Sequence, residues 1–201
     1  GIFFKSNSDT ETILKLYQKY YLDILNIMDG MFAFAIWDHN RQELLIARDK
    51  SGKKPLYYTE FNGQFIFASE LKVILNHNGF YKRIDNKKIY DFFSYHYVPS
   101  SETIFKNIYK LEPGSFIRVG RNGLIEQKKY YQLRKKQITY NNENEISEKI
   151  YFHINNSIKN RMISDTPVGA FLSGGVDSSA IVALMRQHSK NEIKTFSIDF
   201  E

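Results

Sequence analysis

Seven residues near the C-terminal end, Ser173-Gly174-Gly175-Val176-Asp177-Ser178-Ser179, limit what this chain can become more than any other stretch. An apolar run from Pro167 to Leu172 leads into them and reads as a strand, and Ala180-Ile181-Val182-Ala183-Leu184-Met185 leads out as a helix. A strand, a glycine turn and a helix start together make a place for an anion. Glycine lets backbone N–H groups approach a ligand closely. The new helix adds unpaired N–H donors and partial positive charge. The hydroxyls of Ser173, Ser178 and Ser179 supply further donors. Asp177 repels a bare phosphate, and makes sense where a divalent cation sits between its carboxylate and the phosphates.

Two other phosphate or nucleophile loops are excluded. The kinase and GTPase P-loop needs a lysine after its glycines, and none follows here. The hydrolase elbow needs glycine two residues before its serine, and that position is Phe171. What remains resembles the S-G-G-x-D-S pyrophosphate loop of the ATP-pyrophosphatase superfamily. That resemblance implies ATP split between its α- and β-phosphates, with adenylation of a carboxylate or amide oxygen and release of pyrophosphate.

The chain has 201 residues, room for one or two domains. Its 14 tyrosines and 16 phenylalanines promise well-filled cores. The absence of cysteine excludes disulfides, thiolate metal sites and a cysteine nucleophile within these residues. No apolar run reaches membrane-spanning length and no secretory signal is visible, so the expected setting is cytoplasmic, without a membrane partner. The formal net charge is +6. Much of that excess lies in Gln127 to Lys136, which holds five basic residues and no acid. This run reads as a solvated linker rather than a nucleic-acid contact, since no nucleic-acid motif accompanies it. The five histidines, His39, His77, His96, His153 and His188, lack metal-ligand spacing.

Along the chain, Ser8-Asp9-Thr10-Glu11 fits a capping box that opens a helix through Tyr20 and Tyr21. Met31 to Trp37 is a nearly unbroken apolar strand, expected to be covered on both faces. Residues 43–47, 56–59 and 64–68 read as further strands, the last two joined by the hairpin dipeptide Asn62-Gly63. Helices are predicted over 70–75 and 86–95, and a last hairpin turns around Arg121-Asn122-Gly123. The first part therefore reads as α+β with antiparallel strands. Polar residues without periodicity follow. Ile146, Ile150, Ile154, Ile158 and Met162 then mark one face of a helix, and residues 193–201 read as a second strand beside the first. The expected domains are residues 1–131, a linker at 132–143, and residues 144–201. Both ends read as unfinished, so a piece of a longer protein is expected.

With both halves in view, the chain resembles the glutamine-dependent asparagine synthetases. The resemblance is carried by Ser8-Asp9-Thr10-Glu11, Asp29 to Asp38, Ala47-Arg48-Asp49, Gly52, Pro55-Leu56-Tyr57, Ala68-Ser69-Glu70 with Lys72, Leu111-Glu112-Pro113-Gly114 and the pyrophosphate loop, in that order. It implies an N-terminal-nucleophile glutaminase sandwich, here incomplete and without its N-terminal cysteine. The start of a parallel-sheet α/β ATP-pyrophosphatase domain, of the adenine nucleotide α-hydrolase type, is implied after it.

The implied reaction moves ammonia from glutamine to the β-carboxylate of aspartate through a β-aspartyl-AMP intermediate. The implied partners are glutamine, aspartate, ATP and Mg; a homodimer stays open. By the same resemblance Asp9 binds the α-ammonium of glutamine. Leu172 and Ile198 line the adenosine site, and Ser173, Gly174, Gly175, Asp177, Ser178 and Ser179 hold the phosphates, with Asp177 also at the metal. The Arg48-Asp49 pair is implied to be structural, an ion pair or turn bond shaping the loop before Pro55. Related ligases of the β-lactam synthetase type, amidotransferases acting on another carboxylate, and a non-catalytic homologue are the alternatives.

Overall fold

Alternation along two central strands sets the layout of the larger part of the chain. Leu45, Ala47 and Phe116 point to one side of a sheet, while Ile46, Ile117 and Val119 point to the other. A sheet with both faces apolar needs cover on both sides. The computed structural model describes residues 2–135 and 142–199. Residues 136–141 of the expected linker, including Lys136 of the basic run, and residues 200–201 of the last expected strand lie outside them. The chain divides into two compact units, Gly1–Arg134 and Lys135–Glu201.

The first unit runs α1 (Asp9–Tyr20), α2 (Ile24–Ile27), β1 (Ala33–Asp38), β2 (Glu43–Arg48), β3 (Tyr57–Phe61), β4 (Gln64–Ala68), α3 (Leu71–Leu75), α4 (Asn86–Tyr95), β5 (Tyr109–Lys110), β6 (Ser115–Gly120) and β7 (Gly123–Lys129). Four strands pair antiparallel in the order β1-β2-β6-β7, and three more in the order β4-β3-β5. Tyr17, Ile24 and Leu25 from the α1–α2 segment cover Leu45, Ala47 and Phe116. On the other face, Tyr58, Phe65 and Phe67 from the smaller sheet, with Leu56 just before β3 and Leu111 just after β5, cover Ile46, Ile117 and Val119. On the outer side of the smaller sheet, Phe61 meets the rings of His77 and Phe80, just after α3. Helix, sheet, sheet and helix thus stack in layers, the α+β arrangement expected of a glutaminase sandwich.

Several local expectations need correction. The expected capping box is only half made. Ser8 Oγ accepts from Thr10 N at 3.2 Å, but Glu11 turns to the preceding loop, accepting from the N–H groups of Lys5 and Ser6 at 2.9 and 2.7 Å. The helix does not continue through Tyr21, whose φ of 50° breaks it; a single 3-10 turn then leads into α2. β1 is not covered on both faces. Among the described residues it is an edge strand, and of its residues the smaller sheet covers only Ala33 on that side. Trp37 is consequently 54% exposed while Ile36, facing the helices, is 6% exposed.

The basic run is not all linker either. Lys128 and Lys129 pair with Phe116 and Ser115 at the end of β7. Next to them Tyr130 packs on the helix-side core. β7 is a sheet edge among the described residues, where lysine is favoured because it discourages strand addition.

The second unit holds α5 (Glu143–Arg161), β8 (Gly169–Phe171), α6 (Val176–His188) and β9 (Lys194–Phe196). Asn142 caps α5, its side chain accepting from Glu145 N at 2.9 Å. β8 and β9 pair parallel through three residues each, fewer than the sequence suggested on either strand. At Gly169 a Cβ would sit 2.9 Å from the Lys194 carbonyl oxygen, so the close strand approach requires glycine there. Among the described residues no helix is long and apolar enough to cross a membrane.

Candidate functional site

The loop from Leu172 to Gly175 leaves β8 and enters α6 at Val176. Gly174 takes a φ of +79°, open to glycine and strained for other residues, with free space where a Cβ would be. Gly175 is the N-cap and no side chain caps the helix, so the first-turn amides are left to solvent or a ligand. The hydroxyls of Ser173 and Ser178 are 3.1 Å apart, and Ser178 Oγ also donates to the Gly175 carbonyl at 3.1 Å. Ser179 N closes the first helical bond on Gly175 at 3.1 Å. The four groups curl into one open turn.

Asp177 stands exposed in the first turn of α6, without a hydrogen bond or ion pair among the described residues. A carboxylate beside a cluster of anion-seeking amides and hydroxyls is the donor set that a cation–polyphosphate pair needs, rather than phosphate alone.

Leu172 is held at the loop entrance. Its N–H donates to the Phe196 carbonyl at 2.9 Å, and its own carbonyl accepts from Ser197 Oγ at 2.6 Å. Nothing in the sequence marked Ser197 for this tie. Ile198 lies two residues beyond β9 and is 74% exposed. Leu172 and the serine loop are therefore brought together at the strand ends, with Ile198 at the exit of the neighbouring strand. Open parallel α/β sheets take their ligands at such strand ends.

In the first unit Asp9 is the first helical residue of α1, with an exposed side chain that makes no hydrogen bond or ion pair among the described residues. Arg48 and Asp49 both bond to backbone. Arg48 donates from Nε to the Lys54 carbonyl at 2.7 Å, and from Nη1 and Nη2 to those of Leu111 and Gly52 at 2.6 Å each. Asp49 is 1% exposed and accepts from the N–H groups of Ser51, Lys53 and Lys54, all at 3.0 Å. Burial works to raise its carboxyl's pKa, and these backbone donors outweigh it, holding the group below the ordinary range. Of the two structural readings, the turn bond is the one the geometry realises; the two side chains do not pair with each other.

A family model described as glutamine amidotransferase domain matches residues 1–131. The chain belongs to that family. An asparagine synthase model matches residues 150–201 of this amidotransferase chain, the stretch that holds the serine–glycine loop. Over 201 residues the chain is 38% identical to asparagine synthetase [glutamine-hydrolyzing] 1 of Bacillus subtilis (strain 168), a match covering 100% of this chain and 31% of that protein. It is 34% identical over 206 residues to asparagine synthetase [glutamine-hydrolyzing] 3 of the same organism, covering 100% and 33%. It is also 33% identical over 194 residues to amidase chry2 of Gibberella zeae, covering 95% and 28%. The amidotransferase chain thus spans about a third of the length of these relatives.

Proposed function

We propose that this chain carries part of a glutamine-dependent, AMP-forming asparagine synthase working in the cytoplasm. The observation that supports this reading best is the order of two matches in one chain, a glutamine amidotransferase domain and then the start of an asparagine synthase. The first would release ammonia from glutamine. In the second, the β-carboxylate of aspartate attacks the α-phosphorus of ATP and pyrophosphate leaves; ammonia then displaces AMP and asparagine forms. Asp9 is proposed to pair with the α-ammonium of glutamine, an interaction worth making because an ammonium leaving water needs a carboxylate.

On this reading the amides at the start of α6, Gly174, Gly175 and the hydroxyls of Ser173, Ser178 and Ser179 hold the ATP phosphates, and Leu172 and Ile198 border the adenosine. Asp177 is the residue suited to Mg. Bound there, Mg would neutralise phosphate charge and let the carboxylate stay close. In the full-length protein, Asp177→Ala is expected to abolish aspartate- and ATP-dependent pyrophosphate release and to leave glutamine hydrolysis largely intact. Wild-type pyrophosphate release from that variant would overturn the assignment. That a relative of similar identity carries a name other than asparagine synthetase favours a second reading, the same chemistry on a carboxylate other than aspartate's. Pyrophosphate release that does not depend on aspartate would select it.

A further inference from the structure

A cavity of about 370 Å³ in the first unit lies away from the residues assigned above, bordered by Arg48, Ser100, Ser101, Lys110, Glu112 and Lys129 among others. Its size falls within the range of small-molecule sites, about 300–1,000 Å³. Three cations face one carboxylate across it, and that carboxylate, Glu112, is already taken by Lys129 at 2.6 Å. Arg48 and Lys110 are left with no carboxylate in ion-pair contact among the described residues.

Both have donors to spare. A guanidinium has five N–H groups and Arg48 gives three to carbonyls. An ammonium has three and Lys110 gives one, to the Val98 carbonyl at 2.6 Å. The hydroxyls of Ser100 and Ser101 make no hydrogen bond among the described residues, and Ser100 is held at a φ of +65°, a left-handed conformation costly for serine. Arg48 feels the neighbouring Asp49 carboxylate, whereas Lys110 feels only burial and the Arg48 charge, so the two half-buried cations repel each other and lose hydration. Burial, with the Arg48 charge adding to it, pushes the Lys110 ammonium below its ordinary range. An anion between them would relieve both costs and use the idle donors.

We propose that this cavity binds a phosphate-class oxyanion, either inorganic phosphate or pyrophosphate, held by Arg48, Lys110 and the Ser100-Ser101 hydroxyls. Calorimetric titration of the protein with sodium phosphate and, separately, sodium pyrophosphate, at matched ionic strength in chloride, tests it. Lys110→Gln keeps a donor for the Val98 carbonyl and removes the charge. Binding is expected in the wild type and should weaken roughly tenfold or more in Lys110→Gln. Ser101→Ala should weaken it by a smaller factor, and Lys87→Gln, an exposed lysine on α4, should leave it unchanged. Because the serine–glycine loop is also expected to take phosphate, the titration is repeated in a Gly174→Val, Ser178→Ala background, where the Lys110-dependent heat must persist. Without phosphate, Lys110→Gln is expected to melt no lower than the wild type, since repulsion is removed. The tighter of the two anions names the source. No heat beyond that of chloride, or equal heat in the wild type and Lys110→Gln, overturns the proposal. So does a lower melting point of Lys110→Gln that phosphate does not widen, which would make Lys110 only a tie to Val98.

Discussion

Asp49 organises the amidotransferase unit around a single buried carboxylate. Its two oxygens accept from three backbone N–H groups of the loop that follows, and its own backbone joins two more segments. Asp49 N donates to the Phe32 carbonyl at 2.8 Å, and its carbonyl accepts from Gly114 N at 2.8 Å. Asparagine has one acceptor oxygen and would turn an NH₂ group toward a backbone N–H. Asp49→Asn is therefore expected to cost about 1.5–3 kcal/mol, the worth of hydrogen bonds to a charged group, in urea unfolding at neutral pH. The carboxyl's folded pKa lies below its unfolded value of about 3.9. Its contribution is thus fully present above that value and is lost as pH falls through the folded pKa. As pH falls below about 4 the variant should lose stability less steeply than the wild type; parallel curves would remove Asp49 from the acid transition. The sequence made the Arg48-Asp49 dipeptide conspicuous, but not which carbonyls Arg48 would reach. Leu111 lies 63 positions away, and only folding brings its oxygen within 2.6 Å.

Elements here end where their partners end. β7 reaches to Lys129 because β6 starts at Ser115, and the two are strapped by Gly114, whose carbonyl accepts from Tyr130 N at 2.8 Å and Tyr131 N at 3.1 Å. Gly114 sits at a φ of +63°, and a Cβ there would meet the Tyr131 carbonyl oxygen at 2.9 Å. Gly114→Ala should cost about 1–3 kcal/mol, read as a lower urea midpoint with an unchanged slope. An unchanged midpoint would mean that the strap can shift freely. Hairpins were easy to place from sequence. Asn62-Gly63 adopts positive φ at both positions, 49° and 73°, as a two-residue hairpin turn demands. α2 was missed although Ile24 and Leu25 are at most 1% exposed, because a four-residue helix is too short to show a 3.6-residue period.

At the scale of the whole molecule the two units have separate proposed tasks, so a charge removed from one should leave the other's chemistry standing. Asp9→Asn in the full-length protein keeps the side chain's size and removes the charge proposed to meet the α-ammonium of glutamine. Loss of a charge-assisted bond of about 1.5–3 kcal/mol should lower glutamine-dependent synthesis roughly 10- to 150-fold. Synthesis from added ammonium should stay nearly unchanged. An equal loss with both nitrogen donors would instead assign Asp9 to the start of α1, where a carboxylate also complements the helix dipole.

By itself the sequence determined what depends on neighbours along the chain: the strand–glycine–helix order at Ser173 to Ser179, the hairpin turns, and the four-residue period of α5. These follow from φ preferences, donors left bare at helix starts, and side-chain periodicity, all of which act within a few residues. Tertiary structure alone decided which face of β1 is covered, that Lys128 and Lys129 end a strand, and that Glu11 turns back to Lys5 and Ser6. It also decided that Arg48 and Lys110 border one cavity. Burial, and the desolvation that follows it, is set by which distant segments pack together, and residue order does not carry that information locally.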